Sequence, residues 1–390
     1  MWRFGYLTRA VWLLSLVSLF TDLASEMLYP VMPLYLKSIG FSVLLIGLLE
    51  GLAEATAGLS KGYFGQWSDR LGRRVPFVQW GYGLSAFTKP MLAVLAAPWW
   101  VFLARALDRL GKGLRTGARD ALLSDETTPG NKGKVFGFHR SMDTLGAVLG
   151  PTAALLWLVA RPGQFRLLFL LAFVPGVLAI GITFLLKERR AVPSVRPLRP
   201  FWASFGYWCV APPAYRRVVG GLLLFALFNS SDAFLLLLAR QRGLSEAAVI
   251  GLYILYNAVY VVAAWPAGHL ADRFGPRRLL VGGLLIFAAV YGGVALAHSW
   301  WAFGPLFALY GVYAASTEGV AKAWVSNLCD RTDTGAALGT FGGLGSLAAL
   351  GASVGAGALW QLAGPGWTFG AAAAAALDVA LYLFRLPATD

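Results

Sequence analysis

Twelve apolar stretches, each long enough for a membrane-spanning helix, run along the chain at 10–37, 44–66, 75–95, 99–121, 135–160, 167–186, 218–239, 246–271, 279–298, 301–328, 336–362 and 367–384. A helix rises 1.5 Å per residue, so about 20 apolar residues cross the hydrocarbon of a bilayer. The polar connections between the stretches are short, and the longest is 187–217. The pattern predicts an all-α integral membrane protein of twelve transmembrane helices, with little chain left for a soluble domain. Arg3 and Arg9 precede the first stretch in the manner of a secretory leader. Its apolar pattern continues to Lys37, however, so it reads as a first span rather than a cleaved peptide.

Composition narrows the class. Of 390 residues, 58% are hydrophobic and 13% charged, about half the charged share of a soluble domain. Soluble enzymes, secreted modules and disordered scaffolds are thereby disfavoured. The formal charge is +14, which in a soluble chain would suggest nucleic acid. Here the distribution explains it. With the N-terminus in the cytosol, 19 Lys and Arg fall in cytosolic connections and four outside. Basic cytosolic loops fix orientation, so both termini are expected inside and no nucleic acid partner is expected. Cys209 and Cys329 form no pair motif and read as small buried residues. The three histidines, His139, His269 and His298, have no ligand spacing, so neither metal nor cofactor is expected.

The chain also repeats. Gly65-Gln-Trp-Ser-Asp69-Arg70-Leu-Gly72-Arg73-Arg74 follows the second stretch, and Gly268-His-Leu-Ala-Asp272-Arg273-Phe-Gly275-Pro-Arg277-Arg278 follows the eighth. The aspartates are 203 residues apart, about half the chain. Two pseudo-symmetric six-helix halves at 1–186 and 218–390, joined by a cytosolic linker at 187–217, account for this.

At these residues the chain resembles the major facilitator superfamily of secondary transporters, whose motif A the repeated element looks like. The resemblance covers span number, both motif copies and the central basic loop. It implies the major facilitator fold, alternating access, and a gating latch at Gly65, Asp69, Arg70, Gly72, Arg73, Asp272 and Arg273. Pro276 interrupts the second copy. The fold carries many substrate classes, so the resemblance does not name one.

Charges inside the spans carry the functional reading, because ionisable groups in hydrocarbon are costly and face cavities or partners. Lys37, Lys61, Arg115 and Arg119 lie near predicted helix ends, where snorkelling explains them. On the fourth span Arg105, Asp108, Arg109, Lys112, Arg115 and Arg119 recur every three or four residues, which places them on one face. The superfamily resemblance implies that this span lines the central cavity. Arg105 and Asp108 can pair at i, i+3, leaving Arg109 and Lys112 as substrate or proton-relay cations. Asp22 and Glu26 share a face of the first span and are the first candidates for proton coupling. Asp143 stands behind them, and partnering of these carboxylates with Arg109 or Arg140 would have to be switchable. Lys89 is expected to pair with Glu50 or Glu54. In the second half, Asn229, Asp232, Asn257 and Glu318 are the deep polar candidates, with Tyr253, Tyr256 and Tyr260 as packing residues and Glu318–Lys322 as a local pair.

Gly146-Ala-Val-Leu-Gly150-Pro151 in the fifth span resembles the superfamily's antiporter motif. Small residues permit close helix approach and a proline kinks the chain, so a hinge is expected there. Arg109-Leu-Gly-Lys112-Gly113 matches the antiporter arginine motif loosely, with lysine in place of glutamine. No nucleotide-binding pattern occurs and no nucleophile–base constellation is visible. The expectation is therefore a transporter, not an enzyme: proton-coupled export of a small polar or amphiphilic molecule, or alternatively proton-coupled import of an anionic metabolite or metal chelate. Its partners would be that molecule, protons and lipid. It is expected to act as a monomer in a bacterial cytoplasmic (inner) membrane.

Overall fold

Apolar runs without strand-forming alternation fold as helices, and the computed structural model contains no strand among the residues it describes, 7–126, 132–187, 206–297, 299–329 and 334–386. The helices of the N-terminal half are α1 (Arg9–Glu26), α2 (Met32–Ser38), α3 (Val43–Leu71), α4 (Val75–Val94), α5 (Pro98–Asp125), α6 (Lys132–Ala160) and α7 (Phe165–Thr183). After a short α8 (Tyr207–Val210) come α9 (Pro213–Ala226), α10 (Ala233–Gln241), α11 (Glu246–Phe274), α12 (Pro276–Leu296), a 3-10 turn at Trp300–Ala302, α13 (Phe303–Asn327), α14 (Thr334–Ala363) and α15 (Pro365–Arg385). Most of the 187–217 linker, 188–205, lies outside the described residues.

Two spans that read as continuous are each two helices. The first breaks at 27–31, between α1 and α2. Pro30 cannot donate to the carbonyl of Glu26 and its ring crowds that carbonyl, so the helix stops and restarts. The seventh breaks at 227–232, between α9 and α10, where no proline stands. There Ser231 bonds locally, its Oγ accepting from Ala233 N at 3.3 Å, and such side chains compete with helical hydrogen bonds. Ser231 N donates in turn to Ser353 Oγ on α14 at 3.3 Å. A shift of 203 residues, the spacing of the repeated motif, carries the first break to 230–234, which overlaps the second. Broken helices at matching positions mark binding sites in transporters built from repeats.

By length and composition, seven helices can cross a membrane on their own: those in α3, α6, α7, α11, α12, α14 and α15. The first, third, fourth, seventh and tenth spans fall short. They are the broken spans and those that carry Lys89, the α5 charges, and Glu318 with Lys322. The chain divides into two compact units, Met1–Tyr35 with Thr56–Phe201, and Leu36–Ala55 with Trp202–Asp390. In the first, α1 packs on α6 and α7, and α4 on α5 and α7. In the second, α13 packs on α11 and α12, and α12 on α15.

Candidate functional site

Helix α5 repeats its charges every three or four residues, and five of them meet on one cavity of about 40 Å³ in the first unit. Arg105, Asp108, Arg109, Lys112 and Arg115 line it together with Asp22, Ser25, Glu26 and Tyr29 from the first span and Ser85 and Lys89 from α4. A volume of this size holds a few waters or a small polar group, not a whole drug-sized molecule. Arg119 does not join them. It donates from Nη1 to Ser18 Oγ at 3.2 Å and pairs with Asp120 at 2.9 Å.

The wall of the cavity is built on an ion pair that the sequence did not reveal. Lys89 Nζ donates to Asp108 Oδ1 and to the Ser85 carbonyl, both at 2.8 Å. Ser85 Oγ donates to the same carboxylate oxygen, and Arg105 Nη1 lies 4.0 Å from the other. The expected partners of Lys89, Glu50 and Glu54, lie instead on the part of α3 that groups with the second unit. With Lys89 matched to Asp108, four lining cations (Arg105, Arg109, Lys112 and Arg115) face two carboxylates, Asp22 and Glu26.

Arg115 corrects a second expectation. It does not snorkel: it is 5% exposed, and its guanidinium sits over the Tyr82 ring, 4.5 Å from the centroid. Its Nε and Nη1 have no hydrogen-bond partner among the described residues. Helix α4 approaches closely here because position 81 is glycine; a Cβ on Gly81 would lie 2.6 Å from Arg115 Cβ.

Helix α6 presses its glycines against α1 beside both first-span carboxylates. A Cβ on Gly146 would stand 2.6 Å from the Leu19 carbonyl oxygen and 3.0 Å from Asp22 Cβ. One on Gly150 would stand 2.6 Å from the Leu23 carbonyl and 2.8 Å from Met27 N, at the edge of the first-span break. Pro151 lies within the same uninterrupted α6. Asp143 is buried one turn before Gly146, with its carboxylate 3.6 Å from His139 Nε2 and 4.0 Å from Arg140. The Arg140 side chain is 67% exposed and lies outside the cavity lining.

The candidates of the second unit gather around the seventh-span break. Asp232 accepts from the Tyr310 hydroxyl at 2.6 Å, and Asn229 Nδ2 donates to the Tyr313 hydroxyl at 3.1 Å. Tyr256, Tyr291, Tyr310 and Tyr313 form one ring cluster, with Tyr310–Tyr256 centroids 5.0 Å apart and Tyr310–Tyr313 5.3 Å apart. Asn257 donates back to the Tyr253 carbonyl at 2.9 Å. Glu318 does not pair with Lys322. It accepts from Tyr260 at 3.2 Å.

Of the motif residues, Gly65 meets Gly117 of α5, where a Cβ on Gly117 would come 2.8 Å from Gly65 Cα. Gly72 turns the chain at φ +60°, and Gly275 does so at φ +87° in the second copy. Arg70 and Arg73 are exposed, and Arg74 pairs with Asp125 at the end of α5. Arg273 lies over the Phe274 ring at 5.2 Å, and Arg277 donates to the Phe384 carbonyl. The side chains of Asp69 and Asp272 lie outside the described residues. Cys209 is exposed rather than buried, and both cysteines are free.

A bundle of apolar helices with two matched breaks and a charged cavity defines a membrane transporter. The sequence model of the Major Facilitator Superfamily matches residues 14–263 and 218–390, and the chain belongs to that family. An uncharacterised MFS-type transporter of Methanocaldococcus jannaschii is 34% identical over 369 residues, 93% of this chain and 91% of that protein. The multidrug resistance protein MdtH of Cronobacter sakazakii is 26% identical over 345 residues, 86% and 80% of the two chains. Among solved structures, the human organic anion transporter MFSD10 superposes with a TM-score of 0.71 at 19% identity, covering 96% of this chain and 99% of that one. At that identity the likeness shows the fold alone.

Proposed function

We propose that this transporter carries a small organic anion, coupled to protons and working by alternating access, and that the cavity of the first unit receives the anionic group. The observation that carries the reading is the imbalance at that cavity: four lining cations against two carboxylates once Lys89 and Asp108 are paired. Charge of one sign, held beneath the bilayer surface, is maintained at high cost unless a ligand or ion uses it. Arg109 and Lys112 line the cavity, and Arg105 stands on its Asp108-linked wall. Asp22 and Glu26 are the proton-accepting groups, with Asp143 behind them. The domain arrangement proposed is two six-helix halves, 1–186 and 218–390, in a bacterial inner membrane with both termini cytosolic. The motif A residues act as its latch, and the chain works as a monomer.

One observation favours a second reading, proton-driven export of an amphiphile. Gly146 and Gly150 seat α6 against α1 at Asp22 and Glu26, and a multidrug resistance protein is among the relatives. Reconstituted vesicles decide between them. With a pH gradient imposed, labelled succinate, citrate and phosphate are compared with tetraphenylphosphonium. Anion flux that falls at least tenfold in Arg109→Ala supports the anion carrier. Flux of the lipophilic cation alone, lost in Asp22→Asn, replaces it with the exporter.

A further inference from the structure

We propose that the break in the seventh span, at 227–232, is a binding site for a sodium ion. The site lies wholly in the second unit, so it stands whichever reading of the first-unit cavity holds.

Oxygens without their helical donors gather at this break. In an α-helix each carbonyl accepts from the amide four residues further on. Here four of those amides are turned elsewhere. Ser230 N donates to the Phe228 carbonyl at 3.2 Å and Phe234 N to the Ser231 carbonyl at 3.1 Å. Ser231 N donates to Ser353 Oγ and Ala233 N to Ser231 Oγ, both at 3.3 Å. The carbonyls of Ala226, Leu227, Asn229 and Ser230 therefore lose their helical partners in the middle of a span. Backbone of this kind cannot face lipid and persists only where something else meets it. Ala226 closes α9 and Leu227 caps it, and the C-terminal end of a helix is the negative end of its dipole, which favours a cation.

Two side chains add to these carbonyls. Asn229 uses its Nδ2 on the Tyr313 hydroxyl at 3.1 Å, while its Oδ1 is buried with no hydrogen-bond partner among the described residues. A buried acceptor left in that state points to a ligand that completes it. Asp232 is the N-cap residue of α10, yet its side chain does not cap that helix. It turns to α13 and accepts from the Tyr310 hydroxyl at 2.6 Å. The Tyr310 and Tyr313 rings are stacked 5.3 Å apart, so the Asn229 and Asp232 side chains approach α13 side by side.

The donor set selects the ion. It is all oxygen, which suits a hard cation. It contains one carboxylate among neutral oxygens, which matches a single positive charge, whereas calcium sites draw on several carboxylates. An alkali ion needs no histidine or cysteine, so the ligand spacing that argued against a metal site does not bear on it. No protein cation competes from the seventh span, where Asp232 is the sole charged residue of 218–239. Lys322, the one Lys or Arg within the spans of the second half, is exposed and stands twelve residues beyond Tyr310 on α13, about 18 Å along the helix. The matching break of the first unit is the opposite case. Its Leu28 and Tyr29 line a cavity with Arg105, Arg109, Lys112 and Arg115, which repel a cation. Unwound carbonyls and half-helix ends are the groups that hold coupling ions in transporters built from repeats.

The test uses the purified full chain in detergent without substrate, with radiolabelled sodium as the probe and choline chloride holding the ionic strength constant. The expected result is saturable sodium binding, and an unfolding temperature higher in sodium chloride than in choline or potassium chloride. Asp232→Asn can still accept from Tyr310, so it keeps the packing; it should bind sodium about tenfold more weakly or worse. Asn229→Leu should do the same, whereas Asn229→Asp keeps an oxygen at that place and should bind at least as tightly as wild type. No saturable binding, with equal unfolding temperatures in sodium and choline, overturns the site. Binding unchanged in both Asp232→Asn and Asn229→Leu overturns its assignment to the break. Displacement of the label by potassium or calcium more readily than by unlabelled sodium overturns the choice of ion. Should Asn229→Leu fail to fold, Asp232→Asn and the displacement series still decide.

Discussion

The Lys89 ammonium lies 2.8 Å from the Asp108 carboxylate, nineteen residues along the chain and one helix away. The pair joins α4 to α5 at the cavity wall, with Lys89 3% exposed. Ser85 serves both partners, through its carbonyl to Lys89 and its hydroxyl to Asp108. Removing one member of such a pair strands the other charge without a partner. Asp108→Asn should therefore cost about 3–5 kcal/mol. The double variant Lys89→Met with Asp108→Asn should recover much of that loss. Thermal unfolding of the four proteins in detergent gives the cycle. Equal and additive losses would mean that the two charges do not depend on each other.

The Arg74–Asp125 pair joins the same two helices at their other ends, but its Asp125 side chain is 42% exposed. Water and salt screen it, and exposed pairs contribute about 0–1 kcal/mol. Asp125→Asn should leave the unfolding temperature nearly unchanged, in contrast to Asp108→Asn. A loss as large as that of the buried pair would show that this end of the bundle is closed to water.

How much of this was legible in the sequence depends on the kind of interaction. The helices were, because apolar runs of bilayer length have one solution. The face of α5 was too: the spacing of its charges put five of six on the cavity. Arg119 escaped because its neighbour Asp120 and Ser18 of α1 offered closer partners. The Lys89–Asp108 pair was hidden because pairing between helices depends on their relative register, which neither segment encodes. Arg115 is buried for a simpler reason. The apolar pattern fades near 121, but α5 continues to Asp125, so Arg115 lies almost three turns from the helix end, too deep to reach water. The first-span break was readable at Pro30; the seventh-span break, where Ser231 bonds locally, was not.

The seat of α6 on α1 should tolerate almost no volume. A methyl group at position 150 meets backbone atoms of Leu23 and Met27, which cannot rotate aside. Gly150→Ala should cost about 1–3 kcal/mol by overpacking. It should also impair transport more than Gly181→Ala, since a Cβ at Gly181 meets nothing within 4 Å. Vesicle flux and unfolding temperature measured on both variants check this. If the two behave alike, the close approach at Asp22 and Glu26 has no functional weight.

The seventh-span break offers a cleaner separation of packing from hydrogen bonding. Tyr310 is 4% exposed, packs among three other tyrosines, and donates its hydroxyl to Asp232 at the start of α10. Tyr310→Phe keeps the ring and removes the donor, leaving Asp232 short of one partner; a hydrogen bond to a charged group is worth about 1.5–3 kcal/mol. Tyr310→Ala removes the ring as well and should cost about 3–5 kcal/mol. If Asp232 holds the break in shape, then Asp232→Asn, which can still accept from the hydroxyl, should fall closer to wild type than Tyr310→Phe does. Unfolding temperatures of the three variants give the order. A Tyr310→Phe protein as stable as wild type would mean that the ring cluster alone fixes the break.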